Sequence, residues 1–182
     1  MDIVRQGKAL YVGLSRYPKE QATKAYRYLA DHDVPCLLYQ DRFNIIDRRP
    51  QDQGLIDLSY DKGVGFISFS PLQQGLLTSR YLNGIPSDSR MARNTSLKSE
   101  ILTPELLDSL RRLNDMALRR GQSLAQMSLS WLLSDPRVTS VIIGASSVSQ
   151  IEDDLKALDN RYFSEEEIVE IDSLFAGKDF GV

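Results

Sequence analysis

Cysteine and histidine occur once each in these 182 residues, and basic charge is in short supply. The lone Cys36 cannot form an internal disulfide, and at the start of a strand-like run it reads as a core residue. No metal site is read in the sequence. Twenty-two Lys and Arg against 25 Asp and Glu give a net charge of -3, which leaves no basic footprint for nucleic acid. No apolar run approaches the roughly 18 residues of a membrane span. The first ten residues, MDIVRQGKAL, carry charges where a secretory signal needs an apolar core. The expected location is therefore the cytoplasm, with neither nucleic acid nor membrane as partner.

Residues that are 42% hydrophobic and 26% charged suit a single globular domain over 1–182, with a core that buries roughly 70% of the unfolded surface. The most informative stretch is 138–155, VTSVIIGASSVSQIEDDL. A β-branched run breaks at Gly144, a small polar turn follows, and a helical pattern begins with Val148, Ile151, Leu155 and Leu158. Glycine admits close backbone approach, and the free amides of a helix start attract phosphate. Residues 64–70, VGFISFS, followed by the turn Pro71-Leu72-Gln73-Gln74-Gly75 and then Arg80, repeat that logic. Two such strand ends suit one elongated phosphorylated ligand.

Taken in order, 9–14 (ALYVGL) predicts a strand ending at Ser15 and Arg16, and Pro18 opens a helix to about Ala30. A second strand is expected at 34–40 (VPCLLYQ), a polar loop at 41–49, a short helix from about Pro50 to Tyr60, and the third strand at 64–70. Residues 79–100 lack periodicity and read as a long loop of the kind that forms lids. Thr103-Pro104 caps a helix to Gly121. Ser123 with Gln126 caps a buried one (LAQMSLSWLL), VTSVII forms the fourth strand, and Ser164 with Glu167 caps a last helix to about Phe175. Strand-helix repeated about four times implies a parallel α/β sheet, half of a (β/α)8 barrel. Ligand residues gather at the C-terminal ends of such strands, where Ser15, Gln40, Ser70 and Gly144 fall.

The segments GKALYVGLS, SPLQQGLLTSRYL and VIIGASSVSQIEDDL resemble the fifth, seventh and eighth strand signatures of the aldo-keto reductases. NGIPSDSRM and LAQMSLSWLL resemble the branch that contains bacterial glyceraldehyde-phosphate reductases and potassium-channel β subunits. The resemblance covers nearly the whole chain. It implies the C-terminal half of that barrel, with NADPH as cofactor and hydride transfer to an aldehyde or ketone as reaction. By the same resemblance Ser15, with Arg16 beside it, and Gln40 bracket the nicotinamide carboxamide, and Phe69 stacks on the ring. Ser70, Pro71 and Leu72 line the pyrophosphate in the turn closed by Gly75, and Arg80 and Arg90 supply positive charge. Gly144, Ser146 and Gln150 hold the adenosine end, where Asp153-Asp154 replaces the family's acidic-Asn pair. An anionic Asp154 cannot donate a hydrogen bond as an Asn amide does, which leaves the choice between NADP and NAD open.

Each assignment has a plainer rival. Gln150, three residues after Ser147, has capping-box spacing. Ser70-Pro71 can serve only to end a strand, Arg80 and Arg90 can be solvated loop charges, and Gln40 can be a surface amide. His32, between Asp31 and Asp33 in a connection entering a strand, faces the stability end of a barrel. Tyr17 and Tyr39 lie near the ligand end, but strand alternation turns Tyr39 away from the side Gln40 faces.

The resemblance also implies an absence: the family's proton-donor Tyr and its Lys, Asp and His partners come from the first four strands, and this chain begins just before the fifth. No catalytic residue is therefore assigned. Three readings remain open: the cofactor half of an NADPH-dependent reductase, a non-catalytic nucleotide-binding or interaction protein, and an inactive fragment. A half barrel exposes two sheet edges and an inner face, so association is expected, as a homodimer or with a complementing half-barrel.

Overall fold

The four apolar runs become four strands in the computed structural model, which describes residues 2–89, 91–92 and 97–181. A single turn, α1 (Asp2–Arg5), precedes β1 (Val12–Ser15), α2 (Lys19–Ala30), β2 (Cys36–Arg42), the short helices α3 (Arg49–Asp52) and α4 (Leu55–Asp61), and β3 (Gly65–Phe69). A long connection leads to α5 (Pro104–Arg119) and α6 (Leu124–Ser134), then β4 (Val138–Ile142), α7 (Val148–Leu155) and α8 (Glu165–Phe175). The strands form one sheet, parallel throughout, in the order β1-β2-β3-β4. Spatial order follows chain order, as the wall of a (β/α)8 barrel requires. No helix among the described residues is long and apolar enough to cross a membrane.

The helices start where local chemistry directs. Thr103 accepts the Leu106 N–H ahead of Pro104 at the first helical position, and Ser123 with Gln126 and Ser164 with Glu167 complete reciprocal capping boxes. Each such cap stabilises its helix by about 1 kcal/mol. The helix expected from Pro50 to Tyr60 is split, because Gly54 takes a left-handed φ of 65° and the chain restarts as α4. Only a residue without a Cβ makes that turn cheaply.

Strand alternation sorts the sheet into two unlike faces. Leu14, Tyr39, Phe66 and Val138 stand in register on one face, and Tyr39 and Phe66 are fully buried there, their rings 6.1 Å apart. This face carries the core. Phe43 bridges Phe66 and Trp131, and Leu106, Leu110, Leu113 and Met116 of α5 close over it. Each buried Leu contributes roughly 1.5–3 kcal/mol. The opposite face has Gly13, Ser15, Ser140 and Ile142 exposed and Leu38, Gln40, Ile67 and Phe69 half-buried, with no helix over it among the described residues.

Three expectations change. Residues 41–49 are not a solvated polar loop, since Phe43 through Arg48 are all buried. Asn44 makes that possible: its carbonyl oxygen accepts the Ile46 and Asp47 N–H groups, both at 2.9 Å. Its amide donates to the Ser70 carbonyl at 3.0 Å and to Gln73 Oε1 at 2.8 Å. The 79–100 connection is anchored at several of its described residues, with Tyr81, Leu82, Met91 and Leu97 buried and Arg111 donating to the Leu82 carbonyl. Finally, the apolar stripe of α7 faces outward, with Val148 71% and Leu155 55% exposed.

Asn44→Ala removes four hydrogen bonds and strands buried donors and acceptors, each costing about 1–3 kcal/mol. A loss of at least about 3 kcal/mol in urea unfolding is expected. A loss below about 1 kcal/mol would mean that water replaces the side chain and that the loop does not depend on it.

Candidate functional site

Ser15 and Gln40 are direct cross-strand partners, and the Arg16 N–H donates to the Gln40 carbonyl at 3.0 Å. Gln40 is in register with Ile67, so Phe69, two residues further on, points to the same open face, beside Arg42. Neither the Ser15 hydroxyl nor the Gln40 carboxamide bonds another described residue. The sheet thus brings together a hydroxyl, a carboxamide and an aromatic ring on one open surface at the strand ends. That set can bracket a planar amide-bearing ring, the amide taking the hydrogen bonds and Phe69 the ring face.

The turn after β3 is strained. Ser70, Gln73 and Gln74 have φ of 52°, 44° and 56°, and Gly75 has 99°. Left-handed backbone at non-glycine residues costs about 1–3 kcal/mol each and persists where surroundings over-determine it. Here the Asn44 amide clamps both the Ser70 carbonyl and the buried Gln73 side chain. Pro71 is buried and Leu72 half-buried, so this turn presents backbone rather than bulky side chains. Arg80 lies beyond it at the surface, paired with Asp88 at 2.8 Å, so part of its charge is already compensated. Arg90 lies outside the described residues.

At the end of β4 the exposed Gly144 leads to a polar knot. Gln150 Oε1 accepts the Ser146 N–H at 3.0 Å and the Ser146 hydroxyl at 3.3 Å, while Ser147 accepts the Gln150 N–H at 3.2 Å. Gln150 therefore does cap α7, but through Ser146, one residue earlier than a capping box uses. Asp153 is engaged by Gln126 at 2.8 Å and by Lys156 at 3.3 Å. Asp154 is 6% exposed, and its Oδ2 has no hydrogen-bond partner among the described residues. Burial, reinforced by the neighbouring Asp153 charge, pushes its carboxyl above the usual range. A protonated Asp154 regains the O–H donor that the anion lacks.

Tyr39 is excluded as a proton donor at this surface. Its ring is in the core and its hydroxyl donates to the Tyr17 carbonyl at 2.5 Å, while burial and nearby Asp41 raise its pKa well above the ordinary phenol value. His32 is held at 2.7 Å from the Tyr28 carbonyl in the turn after α2 that leads into the start of β2, at the other end of the strand from Gln40. Two described cavities, of about 360 and 310 Å³, lie around Arg48 between helices, and no candidate residue lines either. The candidate surface is an open wall. Sequence reasoning missed Asn44 and Arg42. The signal available was the apolar Phe43, Ile45 and Ile46 flanking Asn44, unusual for a solvated loop.

The aldo/keto reductase family profile matches residues 1–176. Among curated proteins, the L-glyceraldehyde 3-phosphate reductase of Escherichia coli K12 is 50% identical over 177 residues, covering 95% of this chain and 51% of that protein. A probable voltage-gated potassium channel subunit beta of Oryza sativa subsp. japonica is 34% identical over 161 residues, covering 86% of this chain and 49% of the relative. Among solved structures, a thermostable aldo-keto reductase, Tm1743, in complex with the inhibitor epalrestat superposes with a TM-score of 0.67 at 28% identity. That match covers 95% of this chain and 51% of the other. The chain spans about half the length of these relatives.

A raised Asp154 pKa means that the folded chain holds this proton more tightly than the unfolded chain does. The stabilisation is full below the ordinary value of 3.8 and is lost as pH rises through the folded value. Asp154→Asn is expected to raise stability at pH 7 by about 1 kcal/mol, the gain shrinking toward pH ~4. Thermal melts at both pH values check this; an equal effect at both would show that Asp154 reaches water.

Proposed function

Because the chain belongs to the aldo/keto reductase family, we propose that its 182 residues form the cofactor-holding half of an NADPH-dependent oxidoreductase acting on an aldehyde or ketone. The observation that carries this is the in-register pair Ser15 and Gln40, with Phe69, on the face of the sheet free of helices among the described residues. Ser15 and Gln40 bracket the carboxamide of the nicotinamide, and Phe69 covers the ring. The backbone from Ser70 to Leu72, entered through the left-handed Ser70, lies along the pyrophosphate with Gly75 closing the bend. Arg80 and Arg90 offset phosphate charge. Gly144, Ser146 and Gln150, with Asp153 and Asp154, hold the adenosine end.

Bound there, the nicotinamide supplies the hydride. The chain's own residues orient the ring and keep one face of it against the sheet. With no proton donor assigned on this wall and the Tyr39 phenol committed to the Tyr17 carbonyl, the acid that protonates the carbonyl oxygen comes from residues outside this segment. General acid assistance is worth about 10² to 10⁴-fold, so this half alone has little turnover. The same observation favours a second reading, a chain that binds the nucleotide without reducing a carbonyl. Tight binding without turnover, even with a tetrad-bearing half-barrel present in a demonstrated complex, would establish it.

Titration with NADPH, following protein quenching and cofactor fluorescence, with NADH alongside, tests the site. Saturable binding is expected. Loss of a charge-assisted phosphate contact in Arg80→Ala is expected to weaken it about tenfold or more, and Gln150→Ala to weaken it through collapse of the Ser146 turn. No binding by a folded chain, as judged by circular dichroism, would overturn the half-site.

A further inference from the structure

The two carboxylates of the acidic pair in α7 have unlike surroundings. Asp153 is committed: its Oδ1 accepts from the Gln126 amide at 2.8 Å and pairs with Lys156 at 3.3 Å. Asp154 is 6% exposed, and its Oδ2 finds no hydrogen-bond partner among the described residues. An anion so placed forfeits hydration without gaining a partner, which protein interiors avoid. Nothing nearby offsets the charge. On α7 itself Glu152 is exposed and Asp153 adds like charge. Among the described residues α6 and the turn Lys156–Asp159 pack against α7. No side chain of α6 is ionisable, Lys156 is already paired with Asp153, and Asp159 is itself acidic.

Asp154 lies one turn after Gln150, on the same side of the helix. Gln150 holds the Ser146 turn through its own side chain, which puts Asp154 next to the surface proposed for the adenosine end. Adenine offers a donor and an acceptor side by side, its N6 amino group and N7, and an amide side chain answers both. A carboxylate answers only the amino group. A neutral carboxylic acid has the donor and acceptor of an amide, and so answers both again. Rotation of an Asp carboxyl about its Cβ–Cγ bond is soft, so either oxygen turns toward a base at small cost. Burial and the Asp153 charge already favour the neutral form in the folded chain.

We propose that Asp154 reads the base of the cofactor as a neutral acid, so that the adenosine end binds together with one proton taken from solvent onto the Asp154 carboxylate. This rests on the cofactor reading and adds to it the residue that selects the base. A base with a carbonyl in place of the amino group presents two acceptors, and a single acid can donate to only one of them. Hypoxanthine is therefore rejected where adenine is held.

Calorimetric titration of the full chain with NADPH near neutral pH, in two buffers of different ionisation enthalpy, counts the protons taken up. Asp154→Asn is the reference that cancels the titration of the cofactor's own phosphate. The parent chain is expected to take up more protons than the variant, by about one, and the ratio of its Kd to that of Asp154→Asn to rise about tenfold or more between about pH 6 and 8. Replacing NADPH by its hypoxanthine analogue is expected to weaken binding about tenfold in the parent chain and less than about twofold in Asp154→Ala. Equal proton uptake with a constant Kd ratio would overturn the proposal and leave the half-site standing, as would an analogue that the parent chain binds as well as NADPH. Failure of the parent and both variants to bind NADPH, with circular dichroism showing all three folded, would overturn the half-site and the proposal with it.

Discussion

Asn44 is fully buried and spends its whole side chain: two acceptor bonds fold residues 44–47 back on themselves, and two donor bonds reach across to the turn after β3. The bonds to the turn join the ends of β2 and β3. Without them the left-handed backbone at Ser70 and Gln73 has nothing to over-determine it, and Phe43 has no reason to enter the core beneath Phe66 and Trp131. Ser68, fully buried, adds a second tie to the Phe43 carbonyl at 2.6 Å. Water cannot compete for these groups inside the fold, so the network sets the geometry on which the proposed pyrophosphate contacts rest.

The division of labour between the two sheet faces follows from the same alternation. Tyr39 of β2 and Phe66 and Ser68 of β3 are committed to the core, and the residues between them are left on a surface with no helix over it among the described residues. Tyr39 and Gln40 are adjacent in the chain and opposite in fate: one is locked in by burial, the other is free to meet a ligand. Long ion pairs hold the helical layer against this wall. Arg137 joins Asp135 to Asp57 of α4, and its hydrogen bonds outweigh burial to hold the Asp135 carboxyl below its usual range. Arg120, largely buried against Phe163, pairs with Glu167 at the start of α8 and carries that helix onto the end of α5.

The candidate surface is a wall rather than a pocket because the four described strands line it from one side only. The relatives the chain matches are about twice as long, and a concave site in this architecture is built by strands from around the whole ring. Ser15, Gln40 and Phe69 converge on one open surface without enclosing a cavity.

By itself the sequence determined whatever depends on neighbours in the chain. The alternation of strand and helix, the caps at Thr103, Ser123 and Ser164, and the gathering of Ser15, Gln40, Ser70 and Gly144 at one end of a parallel sheet are all set by local period and hydrogen-bonding chemistry. Only the tertiary structure decided what is buried. Asn44 and its neighbours look like a polar loop until Ser70 and Gln73, 26 and 29 residues away, are brought beside them. The stripe of α7 has the spacing of a core helix, yet nothing in its own eight residues says whether a partner lies against it. Periodicity marks which side of an element is apolar, but burial is a property of pairs of surfaces, and the second surface is chosen by the fold.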